Sequence, residues 1–386
     1  MKKFIYFCFL LLLFGHNAMG QIDLSDAYLD TIINEEFLGA GRCWDTVNFV
    51  EARTKRPIWI CYHPEINPCA ITTTNYYGQI LHPAHTVFAD SVLLIVSEYS
   101  STHLQCGVDY YFPTWTSCNQ CGQGTYHYLS GTLGSTLATY GFGYYEIRCK
   151  QPIHKGVHTS FWLYGDGPST YEEIDIFECA KFSYVGYDSL RDYNSGIWFN
   201  PNSTSYDPVN EPGGAIKFKE DFYRLPDTNN LENWHSFGCE WMPDYVKWYQ
   251  DGNIVAEYHD KTYIPQHPKR IKVGYNIYAD AEPFWHGSDT LVVDYIRHIR
   301  LLTDCETDVE LRSLTSLQNY APSVKGSIAL GSSNGLVAPT SLNMTLRASE
   351  SITIDQPLEL PLGAVMTMIV QECPLMQTNE NEEKNE

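Results

Sequence analysis

Short stretches of alternating apolar and polar residues, separated by Gly, Pro, Asn and Asp, run along most of this chain of 386 residues. Such stretches are typical of β-strands, because successive side chains of a strand point to opposite faces. Asp251-Gly252, between two of the stretches, predicts a tight hairpin, since these residues accept the positive φ angles of such a turn. No long stretch has the apolar period of a helix. The pattern predicts an all-β fold, a sandwich or a barrel. The predicted strands include residues 92–97, 144–150, 160–164, 236–241, 246–250, 270–278 and 291–301.

The N-terminus does not belong to this β-rich part. Lys2 and Lys3 precede an apolar run at residues 4–14, and Ala18 and Gly20 are the small residues that a signal peptidase needs. The run is shorter than the roughly 20 apolar residues of a membrane-spanning helix. We therefore predict that residues 1–20 are a signal peptide. The protein would then be exported to the periplasm, the cell surface or the medium, without a membrane span.

The sequence changes again after Cys305, where Tyr320 is the only aromatic residue. Apolar and polar residues alternate from Leu342 onwards, and residues 363–370 form another strand candidate. The last residues are acidic and polar, which is typical of a solvated tail. We predict three regions in the mature chain: a main domain, a small β-rich C-terminal module and an acidic tail. They span residues 21–304, 305–375 and 376–386.

Charge and cysteine content restrict the partners of this protein. The formal net charge of −21 argues against nucleic acid, whose phosphates require a basic face. Of the 12 cysteines, Cys8 lies in the predicted signal peptide, which leaves 11. Disulfides are expected in an exported protein, and the odd number leaves at least one thiol unpaired. Cys118 and Cys121 have C-x-x-C spacing, but without a second such pair a loop disulfide fits better than a zinc site.

Three carboxylates lie within six residues of one predicted strand, Glu173-Ile174-Asp175-Ile176-Phe177-Glu178. On a regular strand Glu173 and Asp175 share a face, whereas Glu178 points to the other. A β-bulge, which inserts one extra residue, would return Glu178 to the face of the other two, and bulges are common beside active sites. The apolar residues around the three argue against the alternative, a half-exposed strand with an acidic outer face.

Grouped carboxyl groups are what a retaining glycosidase needs. Its two carboxyl groups lie about 5–5.5 Å apart, one acting as nucleophile and one as acid/base. Residues four or five apart on a flat strand are more than ~13 Å apart at Cα, so the side chains converge only on a strongly curved sheet. Ionised neighbours also raise the pKa of a neutral carboxyl group, which lets it keep a proton near neutral pH.

The motif E-x-D-x-x-E resembles the signature of glycoside hydrolase family 16, in the bulged form of laminarinases, agarases and carrageenases. The resemblance covers about residues 33–302, with its strongest blocks at 131–152, 156–164, 234–252 and 291–301. It implies a β-jelly-roll sandwich of two antiparallel sheets, with a substrate cleft across the concave one. It also implies that Glu173 is the nucleophile and Glu178 the acid/base. Asp175 would hold the nucleophile in place and tune both pKa values.

The resemblance also implies which side chains contact the sugar and which hold a metal. The predicted substrate-binding residues are Trp162, Trp241, Asn276, Tyr278, His158, Tyr171 and Trp198. Core packing is the alternative for the aromatic ones, and many laminarinases carry Trp at the position of His158. Asp294, together with backbone carbonyls near Glu36, matches a position that often holds a structural calcium ion in this family. The alternative for Asp294 is an ordinary surface aspartate.

We therefore predict an exported retaining endo-β-glycanase, a monomer that acts on a polysaccharide and requires no cofactor. The first candidate substrate is β-1,3-glucan and the second is an algal galactan. Two alternatives stay open: a non-catalytic carbohydrate-binding protein on the same scaffold, and a transglycosylase. The presence of all three carboxylates argues against the first. The second uses the same residues and differs in whether water or sugar resolves the intermediate.

Overall fold

A computed structural model of the chain describes residues 29–37, 41–42, 59–60, 79–81, 85–89, 91–104, 126–135, 140–152, 154–165, 170–180, 188, 190–200, 216–226, 229–277, 286–301, 303–305, 307–320, 324–331 and 335–373. The predicted signal peptide, the predicted acidic tail and Tyr278 lie outside these residues. Nearly all regular structure in them is β-strand, which confirms the predicted all-β class. No helix within these ranges is long and apolar enough to span a membrane.

The main domain contains eighteen strands in its described residues. In chain order they are β1 Leu29–Glu35, β2 Gly41–Arg42, β3 Trp59–Ile60, β4 Gln79–Leu81, β5 Thr86–Phe88, β6 Leu93–Leu104, β7 Tyr126–Ser130, β8 Thr132–Ser135, β9 Gly143–Lys150, β10 Val157–Tyr164, β11 Tyr171–Ala180, β12 Asp192–Asn200, β13 Ile216–Arg224, β14 His235–Trp241, β15 Val246–Gln250, β16 Asn253–Tyr258, β17 Arg270–Ile277 and β18 Ser288–Leu301. A 3-10 helix spans Lys261–Tyr263.

These strands form two sheets that pack face to face. The front sheet contains the acidic strand and has the order β13-β12-β11-β10-β17-β8-β3, with antiparallel pairing throughout. The back sheet has the order β16-β15-β14-β9-β18-β6-β5-β2. In the back sheet β1 also pairs with β18, and β7 lies between β6 and β4. The predicted strands of the sequence thus fall into both layers of a sandwich.

Aromatic side chains fill the space between the two sheets. Phe177 of β11 packs against Phe237 of β14 with ring centroids 4.8 Å apart, and Tyr193 of β12 meets the same ring at 5.0 Å. All three side chains are buried. Because successive side chains of a strand alternate between faces, Glu178 next to Phe177 and Asn194 next to Tyr193 point to the outer face of the front sheet.

The hairpin between β15 and β16 forms as predicted. Asp251 and Gly252 have φ angles of 49° and 77°, the positive values that a tight two-residue turn requires. The Asp251 carboxylate contacts His235 Nδ1 at 2.8 Å and accepts the backbone N–H of Ser236 at 2.9 Å. His235 is buried, in agreement with a structural rather than a catalytic role.

The C-terminal module has its own parallel sheet. Its elements are β19 Thr303–Asp304, β20 Val309–Leu311, α1 Leu314–Asn319, β21 Val324–Leu330, β22 Leu336–Val337, β23 Asn343–Ile354, β24 Leu358–Glu359 and β25 Val365–Val370. The sheet order is β19-β21-β23-β25, with β20 on β21, and β22 pairs with β24. Its apolar alternation is buried as the sequence indicates, at Leu342, Met344, Leu346 and Ala348. A disulfide joins Cys305 to Cys373.

The module packs against the turn between β14 and β15. Lys325 is fully buried, with its Nζ 3.3 Å from the hydroxyl oxygen of Tyr245. The backbone N–H of Glu310 donates to Asp244 at 3.0 Å, and the guanidinium of Arg312 donates to the carbonyl of Pro243 at 2.9 Å. The module therefore shares polar contacts with the main domain as well as a continuous apolar core.

A buried ion pair fixes the start of the acidic strand β11. The Glu172 carboxylate lies 2.6 Å from Lys269 Nζ and accepts the backbone N–H groups of Gln266 and His267 at 3.0 Å each. Lys269 is fully buried and also donates to the carbonyl of Gly165 at 2.8 Å. Burial raises the pKa of Glu172, but the charge of Lys269 and the hydrogen bonds lower it more, to about 2.

We expect Glu172→Gln to lower the free energy of unfolding by about 3–5 kcal/mol, because the buried Lys269 cation loses its counter-charge. Urea denaturation at pH 7 measures this loss. Glu172→Gln/Lys269→Met should recover part of it, and Glu257→Gln, at an exposed pair with His259, should change stability little. A loss in Glu172→Gln no larger than that in Glu257→Gln would contradict the assigned role of the pair.

The same pair predicts a pH dependence. The folded pKa of Glu172 is about 2 and its ordinary value is 4.5, so its stabilising contribution is present above pH 4.5. It is lost as the pH falls from 4.5 towards 2. Between these values the wild-type protein should therefore lose more stability than Glu172→Gln, which has no carboxyl group to protonate. Parallel loss in the two proteins would contradict this assignment.

Candidate active site

A β-bulge in β11 brings the three carboxylates of the acidic strand to one face. Asp175 pairs with Gly196 of β12, and Glu178 pairs with Asn194, so three steps along β11 match two along β12. The pairing of β11 with β10 shifts at the same place. The extra residue lies at positions 176–177 and returns Glu178 to the face of Glu173 and Asp175. The bulge predicted from the sequence is confirmed.

Two side chains satisfy the carbonyl groups at this bulge. The indole N–H of Trp248, on the back sheet, donates to the carbonyl of Asp175 at 2.9 Å. The hydroxyl of Ser195, on β12, donates to the carbonyl of Ile176 at 2.8 Å. Buried backbone carbonyls without partners are costly, and a bulge interrupts the regular ladder that would supply them. These two donors therefore stabilise the irregular conformation on which the site depends.

Glu173 and Asp175 form a hydrogen-bonded chain with their neighbours. The hydroxyl of Tyr171 donates to Glu173 Oε2. Asp175 hydrogen-bonds Glu173, and the side chain of Trp198 hydrogen-bonds Asp175. Trp198 is also the direct cross-strand partner of Glu173. The two carboxyl groups are thus held from their own strand and from β12.

Burial and crowding raise the pKa values of both groups. Burial is the largest cause of the rise for Glu173, to about 7, and the charge of Glu178 adds to it. The hydrogen bond from Tyr171, the charge of Lys272 and the hydrogen bond with Asp175 oppose the rise. Burial also raises the pKa of Asp175 well above its usual value, together with the charges of Glu178 and Glu173. A protonated Asp175 therefore donates to Glu173 and favours its ionised form.

Both neighbouring strands contact the third carboxylate, Glu178. His158 Nε2, on β10, lies 2.9 Å from Glu178 Oε1. The side-chain amide of Asn194, on β12, donates to Glu178 Oε2 at 3.1 Å. Of the Glu178 side chain, 20% remains exposed, so the group is accessible to a substrate.

Aromatic rings and one cation occupy the rest of this face. Trp162 is the cross-strand partner of Asp175, and Tyr164 is the partner of Glu173. Lys272 of β17 lies opposite Trp162, with its Nζ 4.5 Å from the ring centroid of Trp162 and 4.3 Å from that of Tyr164. Asn276 lies two positions after Gly274 and opposite His158. The face therefore combines acidic groups, flat rings, amides and one cation.

The structure brings together most of the predicted site residues, with one correction. Those on the outer face of the front sheet are Glu173, Asp175, Glu178, His158, Trp162, Tyr171, Trp198 and Asn276. Trp241 is not among them, and its prediction as a substrate-binding residue was wrong. It lies on β14 of the back sheet, fully buried, where its indole N–H donates to the carbonyl of Pro265 at 2.8 Å. Its ring packs 4.6 Å from that of Phe142.

Three residues of the site, Lys272, Tyr164 and Asn194, were missed. Lys272 precedes Asn276 by four positions on one predicted strand, so the alternation of side chains already placed the two on the same face. Asn194 gave no comparable signal, because its place beside Glu178 depends on the register between β11 and β12.

The predicted calcium site, at Asp294 of β18 on the back sheet and near Glu36, stays a prediction. The Asp294 carboxylate accepts a hydrogen bond from the Arg148 guanidinium at 2.5 Å, so a cation already contacts it. Glu36 is exposed to solvent. Within the described parts of the chain, no cluster of three or more His, Cys, Asp or Glu side chains could hold a metal ion.

Comparisons of sequence identify relatives of this chain. It is 33% identical over 155 residues to the kappa-carrageenase of Pseudoalteromonas carrageenovora, a match that covers 37% of each protein. It is 32% identical over 152 residues to a beta-glucanase of Acetivibrio thermocellus, covering 38% of this chain and 37% of the relative. The matches thus span little more than a third of these relatives.

Solved structures with a similar fold include two glucanases. One is the laminarinase catalytic domain of Thermotoga maritima MSB8, with a TM-score of 0.50, 20% identity, and coverage of 71% of this chain and 98% of that one. The other is SCLam, a non-specific endo-beta-1,3(4)-glucanase, with a TM-score of 0.50, 18% identity, and coverage of 74% and 95%. At this level of identity the similarity supports the jelly-roll fold alone.

The sequence model described as "Glycosyl hydrolases family 16" matches residues 99–297, which is just over half of the 386 residues. The matched segment contains β11 and the strands on either side of it in the front sheet. The chain belongs to glycosyl hydrolase family 16.

Proposed function

We propose that this protein is an exported endo-acting hydrolase that cleaves a β-linked polysaccharide with retention of anomeric configuration. The observation that carries the proposal is the grouping of Glu173, Asp175 and Glu178 on one face of β11 by the bulge. Three carboxylates within six residues leave little room for the ~6.5–9.5 Å gap that an inverting enzyme keeps for its water. The apolar run at residues 4–14 supports export.

In the first step the Glu178 carboxyl group donates its proton to the glycosidic oxygen, and a Glu173 oxygen attacks the anomeric carbon. The bond to the leaving sugar breaks as the ester bond to Glu173 forms. In the second step the Glu178 carboxylate removes a proton from water, and the hydroxyl oxygen attacks the same carbon. This step releases Glu173 as a carboxylate and returns Glu178 to its protonated form. Asp175, as a protonated neighbour, positions Glu173 by its hydrogen bond.

The substrate class is supported by the side chains around the carboxylates. The rings of Trp162 and Trp198 are partly exposed beside the acidic strand, where flat surfaces can cover pyranose faces. The names of two relatives, a kappa-carrageenase and a beta-glucanase, point to galactan and β-glucan. We propose β-1,3-glucan as the first substrate to test and an algal galactan as the second.

A reducing-sugar screen over laminarin, lichenan, agarose, porphyran and carrageenan tests the activity. We expect release from at least one of these, with oligosaccharides of mixed length from the earliest times, since an endo-acting enzyme cuts within chains. Glu178→Gln should show no release from the same polymer, because it cannot donate a proton. Binding of a polymer without cleavage by the wild-type protein would instead identify a non-catalytic carbohydrate-binding protein.

Retention predicts specific behaviour of the nucleophile variant. Glu173→Ala should lower turnover by roughly 10⁴-fold or more, without loss of folding or of substrate binding. Azide or formate should restore some cleavage and give a product of inverted configuration, because the small anion attacks from the vacated side.

Glu178→Ala should still form the intermediate from substrates whose leaving groups need no protonation. Proton NMR of the wild-type reaction checks the assignment: an α-anomer formed first from a β-linked substrate would contradict it.

The raised pKa of Glu173 predicts the acidic limb of the pH profile. Since the nucleophile acts as a carboxylate, kcat/KM should fall as the pH drops through about 7, rather than near the ordinary 4.5. Among the described residues, the other charged and titratable groups on this face include Tyr171, Asp175 and Glu178 of β11, His158 and Tyr164 of β10, and Arg270 and Lys272 of β17. On β12, Asp192 lies on the same face and pairs with Arg224. Because the Lys272 cation favours the Glu173 carboxylate, Lys272→Met should move this limb up by about one pH unit.

Lys247→Met is the matched control for that measurement. Lys247 also carries its cation over a tyrosine ring, 4.9 Å from the centroid of Tyr245, but it lies on the back sheet. The control should leave the pH profile unchanged. An unchanged limb in Lys272→Met would show that this cation does not set the ionisation of Glu173.

A further inference from the structure

His158 contacts Glu178 through its ring rather than through strand pairing. The direct partner of Glu178 on β10 is Ser160, and His158 lies two residues further along, opposite Ala180. Its Nε2 nevertheless lies 2.9 Å from Glu178 Oε1, and 11% of its side chain is exposed. A ring nitrogen of His158 is thus directed at a carboxylate oxygen from a largely buried position.

Asn194 contacts the other oxygen of the same carboxylate. The side-chain nitrogen of Asn194, which can only donate, lies 3.1 Å from Glu178 Oε2. Asn194 of β12 therefore contacts Oε2 of Glu178, and His158 of β10 contacts Oε1. Contact at both oxygens fixes the rotation of the carboxyl group, which one contact alone does not.

We propose that His158 is a positioning residue that donates its Nε2–H to Glu178 Oε1 and, with Asn194, orients the acid/base carboxyl group towards the glycosidic oxygen. This inference rests on the proposed function, in which Glu178 is the acid/base. Each carboxylate oxygen has a second lone pair, so Glu178 can accept this hydrogen bond and still exchange a proton with the substrate.

The donated hydrogen bond has a defined electrostatic effect. The like charge of Glu173 favours the protonated form of Glu178, whereas donors at both oxygens favour the carboxylate. Loss of the His158 donor should therefore raise the pKa of Glu178.

A direct contact between His158 and the sugar, the role predicted from the sequence, leads to a different result. Loss of a residue that binds substrate and transition state equally raises KM and leaves kcat unchanged. Loss of a residue that positions the acid lowers kcat, and it does so most for substrates whose leaving groups need protonation. The split between kcat and KM therefore distinguishes the two roles.

The experiment compares His158→Phe, which keeps a ring without a donor, with His158→Gln, which keeps an N–H near the position of Nε2. We expect His158→Phe to lower kcat on the preferred polysaccharide by roughly 10- to 100-fold, a part of the roughly 10²–10⁴-fold that general acid catalysis contributes, and much less on an activated aryl glycoside. The basic limb of kcat/KM should move up by about one pH unit. His158→Gln should restore much of both properties.

His259→Phe is the matched control, since His259 Nε2 forms the same contact with Glu257, at 2.9 Å, on the back sheet. It should behave as the wild-type protein. A rise in KM alone, an unmoved basic limb, or equal losses on both substrates in His158→Phe would overturn the proposal. Circular dichroism of each variant shows whether it is folded, and His158→Gln provides the same test if His158→Phe does not fold.

A second measurement needs no substrate. Carbon-13 NMR of glutamate carboxyl groups, with the Glu178 signal assigned by its loss in Glu178→Gln, gives the pKa of Glu178 directly. This pKa should be about one unit higher in His158→Phe than in the wild-type protein. An unchanged value overturns the role of His158, whereas failure of the wild-type protein to cleave any glycan overturns the proposed function.

Discussion

Two hydrogen bonds hold the one irregular segment on which the whole site depends. Trp248 and Ser195 donate to the carbonyls of Asp175 and Ile176, at the point where β11 gains an extra residue. Without the extra residue, Glu178 would point into the apolar space between the sheets, where an unpaired carboxylate is strongly disfavoured. With it, Phe177 fills that space and packs on Phe237. The bulge thus places Phe177 in the core and Glu178 on the outer face with the other two carboxylates.

Two lysines offset the negative charge that several carboxylates bring to this part of a chain whose net charge is −21. Glu172 is neutralised by the buried Lys269 next to the catalytic face, and Lys272 supplies a cation on that face itself. These two lysines have different effects. Lys269 allows a buried carboxylate to stay ionised and fixes the start of β11, whereas Lys272 shifts the balance of ionisation towards Glu173. Repulsion that remains among Glu173, Asp175 and Glu178 favours a proton on one of the three carboxyl groups.

The hydrogen bonds around the carboxylates divide the site into two halves. Tyr171 and Trp198 contact the Glu173–Asp175 half, and His158 and Asn194 contact Glu178. Strands on both sides of β11 contribute to this frame, because β10 carries His158 and β12 carries Trp198 and Asn194. A site held from two neighbouring strands is more rigid than one built on a loop, which favours catalysis by precise positioning.

The sequence by itself determined the class of fold, the positions of long strands such as β10, β11 and β17, the hairpin at Asp251-Gly252 and the bulge. These features depend on the period of apolar residues, on turn chemistry and on the cost of placing Glu178 in the core, all of which are local. Tertiary structure decided which face of each strand became the site. Trp162 and Trp241 both lie on predicted strands, yet one lies beside Asp175 and the other is buried in the back sheet. Alternation shows which residues share a face, but the sheet to which a strand belongs decides whether that face meets solvent or core. The contacts of Asn194 and His158 with Glu178 likewise depend on the register between strands, which long-range pairing sets and no single strand encodes.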